Sequence, residues 1–417
     1  MSQRLLAAVL ALALVAPVAA CGSADEAQPS EKRHLTVWLM RGTATDAFVI
    51  DFEAQFERAH TDLRLDIQIQ EWDGITDKVA AALSGGDPPD VIEVGNTQVA
   101  QYVASGGVTD LTDRVDDLGG QDWLPGLADP GAIEGRQYGI PFYAANRVVI
   151  YRTDLFQQAG LTPPSTRDEW IDVTEELDSD EVQGIYLPGQ NWYVLAGFLW
   201  DEGGDLAVRD GNRWRGGLNT PEGLAAVDFY QRLQELGDGP VDSDEAEPPQ
   251  ADVFAEGDVA QLIAVPGEAK QITTTNPDLT DKLGYFPIPG KTDGTPGAVF
   301  TGGSDLIIPA DSPAQDGAYE VVRALTSERW QVQLATTMNY VPNRISLAGS
   351  VNSDPGAAAM AEGAANGHAT PNSPNWTAVE ANNPIKKFLT EVLTGTDPAV
   401  AASAADTVIT DALNAPL

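Results

Sequence analysis

Few residues of this 417-residue chain are of the types that catalyse by nucleophilic attack or hold a metal. Its three histidines are His34, His60 and His368, its one cysteine is Cys21, and it contains no Gly-x-Ser-x-Gly motif. No histidines, cysteines or carboxylates follow one another at metal-ligand spacing. The 62 Asp and Glu residues make chance carboxylate pairs uninformative about glycoside cleavage. We expect no catalytic residue, metal or cofactor.

Side chains that bind a ligand without reacting with it are better represented. An aromatic ring offers a flat apolar surface, while amides, hydroxyls and charged groups donate or accept hydrogen bonds. Glycine in addition lets the backbone N–H groups approach a ligand closely. Such residues recur where predicted elements end, and the candidate ligand-binding residues are Asp46, Glu71, Trp72, Asn96, Phe142, Tyr143, Asn146, Trp192, Trp200, Glu268, Gly302, Gly303, Tyr340, Asn343 and Arg344.

Several of these positions also have a purely structural interpretation. Trp192 and Trp200 lie on one predicted helix and could both belong to a core. Asp46 could simply cap the helix that follows it. Arg344 could pair with any surface acid, although a guanidinium there would also suit bidentate binding to hydroxyls or a carboxylate.

Composition and charge limit the class of protein. A chain of 417 residues is too long for one core and predicts two or more domains. The formal net charge of −38 is spread along the sequence and argues against nucleic acid or anionic lipid headgroups as partners. The excess acid is interpreted as solvated surface.

The N-terminus has the pattern of a secretory signal. Arg4 precedes an apolar run that extends from Leu5 to Val18, and Ala19-Ala20 stand directly before Cys21. The apolar run is shorter than the roughly 20 residues that a spanning helix needs. We interpret residues 1–20 as a signal peptide and residues 21–33 as a flexible tether.

The elements that would position the candidate residues alternate between strands and helices. Strands are predicted at residues 35–39, 65–69 and 90–94, with helices between them. This alternation predicts a parallel sheet with helices on both faces, and in such sheets ligands lie beyond the carboxyl ends of the strands. The loops at residues 40–46, 71–74 and 95–98 are therefore candidates for the site.

Residues 138–151 predict a loop that feeds a buried strand. Gly139-Ile140-Pro141 breaks the chain, aromatic and polar residues follow, and residues 148–151 form a β-branched run. We interpret this segment as a crossing from one lobe to another beside a ligand cleft. Further along, an aromatic-rich helix is predicted at residues 190–200, and the acidic loop at residues 242–249 is interpreted as surface.

Several segments, each weak alone, together resemble one family in their order and spacing. The chain resembles the extracellular solute-binding proteins of ABC importers, family 1, the sugar-binding group with the maltose- and trehalose-binding proteins. The matching segments are Pro89-Asp90-Val91-Ile92 with Gly95-Asn96, residues 138–143, 151–156 and 159–161, Phe254-Ala255-Glu256-Gly257-Asp258-Val259-Ala260, Pro287-Ile288-Pro289-Gly290, Gly302-Gly303 and Thr326-Ser327. The residues before Cys21 also resemble a bacterial lipobox.

The resemblance implies an α/β fold, a two-lobed periplasmic-binding-protein-like clamp in which each lobe is a mainly parallel sheet flanked by helices. Lobe 1 would comprise residues 34–141 and 300–342, and lobe 2 residues 142–299 and 343–417. Hinge crossings would lie near residues 140–146, 299–304 and 340–344. Closure of the clamp around its ligand is a hinge motion.

The resemblance also implies a function. The protein would be a monomer that captures a neutral mono- or oligosaccharide and delivers it to the permease of an ABC importer. A lipid on Cys21 would hold it at the extracellular face of the cytoplasmic membrane. There are two alternatives to this function. The protein could be a secreted glycoside-cleaving enzyme, or the same clamp could bind a cationic solute that is not a sugar.

One position departs from the family pattern. Relatives often carry a tryptophan after the Gly-Pro that ends a buried strand, where it supports a sugar ring. Here Val265-Pro266 is followed by Gly267. The ligand geometry of maltodextrin-binding relatives therefore does not transfer directly to this chain.

Overall fold

The computed structural model describes residues 32–416. The predicted signal peptide, Cys21 and nearly all of the predicted tether lie outside these residues. The strands are β1 (Arg33–Met40), β2 (Leu63–Gln70), β3 (Val91–Gly95), β4 (Ala132–Ile133), β5 (Arg136–Gln137), β6 (Ile140–Ala145), β7 (Val148–Arg152), β8 (Ala207–Asp210), β9 (Arg213–Gly216), β10 (Gln261–Ala264), β11 (Leu283–Phe286), β12 (Val299–Phe300), β13 (Gly302–Ile307), β14 (Val341–Pro342) and β15 (Gly367–His368).

Sixteen α-helices connect and cover these strands in the described part of the chain. They are α1 (Asp46–Ala59), α2 (Ile75–Ser84), α3 (Val99–Ala104), α4 (Pro125–Ala128), α5 (Thr153–Ala159), α6 (Arg167–Leu177), α7 (Trp192–Asp201), α8 (Pro221–Gln234), α9 (Gln250–Ala255), α10 (Glu268–Thr275), α11 (Gln315–Leu325), α12 (Glu328–Met338), α13 (Pro355–Ala364), α14 (Trp376–Asn382), α15 (Pro384–Leu393) and α16 (Pro398–Leu413). Among residues 32–416, none of these helices is both long and apolar enough to cross a membrane.

The predicted order of the first elements is confirmed. Helix α1 buries Phe48, Phe52 and Phe56 along one face, as their helical spacing predicts. Its N-cap is Thr45, whose side chain accepts a hydrogen bond from the backbone N–H of Phe48. Asp46 occupies the first turn, where its negative charge interacts favourably with the helix dipole.

The first lobe is built on a six-stranded sheet in the order β14-β6-β13-β3-β1-β2. Strands β1, β2 and β3 are parallel, whereas β13 runs antiparallel to both β3 and β6. One face carries Leu35, Val37 and Leu39 against α1, α11 and α12. The opposite face packs Ile92 and Val94 against α2 and α3.

The second lobe is built on a three-stranded sheet in the order β10-β7-β11. Alternate residues of these strands enter two hydrophobic clusters, Val149 and Ile263 on one face and Val148, Ile150 and Leu262 on the other. Both sheets are therefore covered on both faces, and the predicted two-lobed α/β architecture is confirmed.

The sheets are less parallel than predicted. Both strand pairs of the second sheet are antiparallel, and so are three pairs of the first. For β13 the cause is the interleaved chain path, because this strand returns from the other lobe beside β6 and runs in the opposite direction to it.

The first crossing between the lobes follows β6, which stays in the first sheet as far as Ala145 rather than ending at the predicted boundary after Pro141. Asn146 and Arg147 join it directly to β7. The chain returns through β12 and β13, where Gly302 and Gly303 pair with Ala145 and Ala144. Two neighbouring antiparallel strands thus carry the chain between the lobes.

Gly303 is required by this pairing. Its φ is +146°, and a Cβ built on it would lie 2.2 Å from the carbonyl oxygen of Tyr143. Glycine is the residue that adopts this conformation without steric cost. The glycine therefore allows β13 to approach β6, which is a structural role.

We expect Gly303→Ala to lower the free energy of unfolding by about 2–3 kcal/mol, because it combines a disfavoured φ with a backbone clash. Chemical denaturation would measure the loss. Gly86→Ala is the control, since a Cβ there meets nothing within 4 Å. Equal stability of the two variants would contradict the role assigned to Gly303.

Candidate ligand cleft

The lobe 1 side of the cleft is organised around the buried carboxylate of Glu93. The backbone N–H of Met40 donates to its Oε2 (2.8 Å), and the hydroxyls of Thr43 (2.7 Å) and Tyr143 (3.2 Å) donate to its Oε1. Ser304 in turn donates to the Tyr143 hydroxyl at 3.2 Å. Burial raises the pKa of Glu93, while these hydrogen bonds act in the opposite direction. One side chain thereby ties together β1, β3, β6 and β13 at the edge of the sheet.

Two stacked tyrosines continue this side. The rings of Tyr143 and Tyr340 lie 4.2 Å apart at an angle of 12°. The Tyr340 hydroxyl donates to the carbonyl oxygen of Gly42 at 2.7 Å. The loop after β1, the end of β6 and the start of β14 are consequently held in fixed relative positions.

At the crossing, Arg147 turns into lobe 2. Its guanidinium lies over the ring of Tyr193, 4.5 Å from the centroid, and forms an ion pair with Glu245. Both charged side chains are largely buried, with 17% and 27% of their surface exposed. Such a pair is far less screened than an exposed one.

Several buried polar atoms near this ion pair have no partner within the described part of the chain. Among the described residues, no hydrogen-bond partner exists for Asn146 Oδ1, for Oδ1 and Nδ2 of Asn191, for Glu245 Oε2 or for Gln250 Oε1. The backbone of Gln250 donates to Glu245, and the Tyr230 hydroxyl accepts from Asn191 N, which places these groups on neighbouring segments. Buried polar groups of folded proteins are nearly all hydrogen-bonded. These five atoms are therefore candidates for hydrogen bonds to a ligand.

Glu268 extends the polar surface. Gln250 Nε2 donates to both of its carboxylate oxygens, at 3.0 and 3.1 Å. Burial, with a smaller contribution from the nearby charge of Glu245, raises the pKa of Glu268 to about 6. We call Asn146, Arg147, Asn191, Glu245, Gln250 and Glu268 the polar wall.

An aromatic cluster adjoins the polar wall through Tyr193. The ring of Tyr193 lies 4.1 Å from Trp192 and 4.7 Å from Phe300, and Trp192 lies 6.4 Å from Trp376. The indole N–H of Trp376 donates to Glu380 at 2.8 Å. Next to it, Thr377 Oγ1 donates to Gln101 Oε1 at 3.3 Å, joining α14 to α3 of lobe 1. The cluster therefore lies where the lobes meet.

A cavity of about 680 Å³ lies at one end of the cleft and is lined from both lobes. Lobe 1 contributes Asn339 and Tyr340, the end of β6 contributes Ala145, and lobe 2 contributes Gly267 and Tyr285. Ala145 and Gly267 directly precede Asn146 and Glu268 in the chain, so two of the segments that line the cavity also contribute to the polar wall.

The structure brings together five of the residues that the sequence singled out. Tyr143 and Tyr340 are stacked on the lobe 1 side, while Asn146, Glu268 and Trp192 lie at the polar wall or in the aromatic cluster. Trp192 is only 4% exposed, so it is also a core residue, which was the structural interpretation given above.

Other candidates lie at the loops of lobe 1. Glu71 forms an exposed ion pair with Arg41 at 2.5 Å, and Trp72 is 41% exposed. Asp46 is exposed in the first turn of α1. Asn96 is buried and donates to the carbonyl oxygen of Thr301 at 2.9 Å, so its amide holds the loop after β3 against the returning chain.

Five candidates have contacts within the protein that account for them, and we leave them out of the proposed site together with the structural Gly303. Phe142 has no exposed surface and packs in the lobe 1 core, because alternate residues of β6 face opposite sides. Trp200 stacks on His368 and bonds Asp205 beside a separate cavity. Gly302 lies in the ladder with β6.

Asn343 and Arg344 anchor the segment after β14 to lobe 1. Asn343 is fully buried and donates to the carbonyl oxygen of Pro141 at 2.8 Å. Arg344 donates to the carbonyl oxygens of Leu118 (2.9 Å) and Thr326 (3.1 Å). The guanidinium of Arg344 therefore bonds to backbone carbonyls, whereas the sequence suggested that it would bind a ligand or pair with an acid.

Sequence reasoning missed much of the site. The sequence does contain a signal for Glu93. It is a carboxylate inside the apolar strand Val91–Val94, and a buried carboxylate needs hydrogen-bond partners. Arg147 directly follows the predicted crossing. Glu245 lies in the acidic loop interpreted as surface, and nothing local distinguishes it from its neighbours.

Comparison with known proteins places this geometry in a family. The family model described as bacterial extracellular solute-binding protein matches residues 41–332. The diacetylchitobiose binding protein DasA of Streptomyces coelicolor is 38% identical over 412 residues, which cover 96% of each chain.

Solved structures agree with the fold. The sugar-binding protein MalE of Xanthomonas citri superposes with a TM-score of 0.82 at 22% identity, covering 91% of this chain and 97% of that one. The cyclic α-maltosyl-1,6-maltose binding protein of Arthrobacter globiformis gives a TM-score of 0.76 at 22% identity, with 92% and 99% covered. On the family match and the identity to DasA, this chain belongs to the bacterial extracellular solute-binding proteins.

Proposed function

We propose that this protein binds a neutral mono- or oligosaccharide between its lobes, without chemistry, and delivers it to the permease of an ABC importer. The observation that carries the proposal is the polar wall, where unpartnered amide and carboxylate groups lie beside aromatic rings.

The two kinds of surface match the two kinds of surface on a sugar. A pyranose ring presents C–H faces that pack against aromatic rings, and hydroxyls that both donate and accept. Asn191 offers a free donor and a free acceptor, and Asn146, Glu245 and Gln250 offer acceptors. The hydroxyls of a bound sugar would therefore supply partners that the protein itself does not.

The relatives suggest which sugars to test first. DasA is named for diacetylchitobiose, and the two structural relatives are named for sugars.

Among residues 32–416, no group of three or more histidine, cysteine or carboxylate side chains is arranged to hold a metal. We infer capture and release rather than catalysis, in a protein that acts as a monomer.

The N-terminal sequence suggests how the protein stays near its permease. A lipid on Cys21 would anchor it to the outer face of the cytoplasmic membrane. The tether that precedes β1 would then leave the lobes free to close and to meet the permease.

We expect a neutral saccharide of one to four units, diacetylchitobiose among those tested, to raise the thermal midpoint and change tryptophan emission, since a ligand that binds only the folded state stabilises it. Differential scanning fluorimetry and chromatography of the recovered sugar would measure both effects. No shift with any neutral sugar at millimolar concentration would overturn the proposal, and cleavage products would favour a glycosidase.

Asn191→Ala should weaken saccharide binding at least tenfold and leave the free energy of unfolding nearly unchanged, because its amide bonds no described residue. The matched control is Asn343→Ala, which removes the bond to Pro141 and should lower stability with little effect on affinity. Calorimetric titration and denaturation would separate the two. Unchanged affinity in Asn191→Ala would remove that residue from the site.

Cys21→Ser should move the protein from the membrane fraction to the soluble or secreted fraction, since a serine cannot form the thioether. Fractionation after labelling with a fatty-acid analogue would show this. Retention of labelled Cys21→Ser protein in the membrane would contradict lipidation at this position.

A further inference from the structure

Strand β2 lies at the end of the six-stranded sheet, so only its edge towards β1 is paired within the sheet. The other edge of such a strand presents a row of backbone N–H and C=O groups, to which a further strand can pair. With eight residues each, β1 and β2 are the longest strands of the described chain. An open edge of this length favours association with another chain unless something covers it.

Two carboxylates of α1 cover part of this edge. The backbone N–H of Leu65 donates to Glu57 Oε1 at 3.1 Å, and that of Ile67 donates to Glu53 Oε1 at 2.8 Å. The spacing of the two elements allows both bonds, because four residues of a helix rise about 6 Å and two residues of a strand advance about 6.6 Å. The carboxylates therefore occupy successive donors of the free edge.

The cover ends at Ile69, the next residue whose N–H lies on this edge. The row of α1 side chains that carries Glu57 and Glu53 continues to Ile50, which has no hydrogen-bonding group. Ile50 is 66% exposed, Ile69 is 36% exposed, and Trp72, just after the strand, is 41% exposed. An open strand end beside exposed apolar side chains is suited to pairing with another strand.

The backbone of β2 can pair with a second copy of itself. When two copies lie antiparallel about a two-fold axis at Ile67, the outward N–H and C=O groups of Ile67 face those of the other Ile67. In the same register, the outward groups of Leu65 face those of Ile69. Every outward N–H from Leu65 to Ile69 then has a carbonyl opposite it.

The side chains of β2 permit the same register. Asp66 would lie opposite Gln68, and Arg64 would lie opposite Gln70. No like charges are opposite each other in these pairs, which would otherwise oppose the association. The strand is therefore complementary to itself in its charges as well as in its backbone groups.

We propose that the free edge of β2 is a self-association surface that Glu53 and Glu57 keep closed, and that its partner is the β2 edge of a second copy. The two carboxylates occupy the N–H groups of Ile67 and Leu65 that a dimer would need. Their negative charges would also repel those of the second copy across the two-fold axis. The inference goes beyond the proposed function and does not depend on saccharide binding.

Sedimentation velocity would test this surface. It would compare the full chain with its Glu53→Ala/Glu57→Ala variant, both carrying Cys21→Ser so that a lipid cannot itself cause association. Alanine keeps α1 helical and frees the two donors. We expect the double variant to form dimers with a dissociation constant at least about tenfold below that of the parent chain.

Two further variants separate edge pairing from other causes. Glu175→Ala/Glu176→Ala removes the same charge from exposed positions of α6 and should associate no more than the parent chain. Adding Ile67→Lys to the Glu53→Ala/Glu57→Ala variant should restore the monomer, because the two introduced ammonium groups would lie opposite each other at the two-fold axis. Thermal unfolding would establish that each variant is folded.

A folded Glu53→Ala/Glu57→Ala variant that stays monomeric would overturn the proposal. So would equal association in the Glu175→Ala/Glu176→Ala control, or dimers that persist with Ile67→Lys. Assemblies larger than two copies would also contradict it, because pairing through one edge about a two-fold axis stops at the dimer. None of these outcomes bears on saccharide binding, which the titrations above test separately.

Discussion

The lobe 1 side of the cleft depends on one buried carboxyl group. A carboxyl group removed from water is unfavourable unless hydrogen-bond partners surround it, and Glu93 is completely buried. Its donors come from β1, from the loop after β1 and from β6. Moving any of these elements would remove a hydrogen bond from this buried group, so the need to satisfy Glu93 fixes their relative positions.

The hydroxyls and amides around Glu93 and Asn96 on lobe 1 bond to one another or to the backbone. Several buried groups of the polar wall on lobe 2 have no described partner. Unpartnered buried atoms also occur among the described residues of lobe 1, at Asp305 and Asn343. The polar wall is therefore distinguished by the aromatic rings beside it rather than by its unsatisfied groups alone.

Sequence patterns predicted the elements well where apolar periodicity was strong. The run at residues 148–151 is strand β7, and the aromatic-rich segment is helix α7. The same patterns could not predict the pairing directions. These depend on which strands become neighbours in the folded chain, which is a long-range property of the fold.

Local sequence patterns predicted the α/β alternation and a crossing near residues 138–151, and the resemblance carried by the order of the motifs implied the class of protein and its two lobes. This was possible because apolar periodicity, glycine-proline breaks and motif order can be recognised in the linear sequence without knowledge of the fold. Which polar residues form the site was decided only by tertiary structure. Arg344 and Asn343 looked suited to a ligand, but nearby carbonyls occupy them, whereas Glu245 became part of the polar wall when its loop folded against Arg147. A side chain is available to a ligand only when its neighbours in space leave it unsatisfied, and those neighbours are distant in sequence.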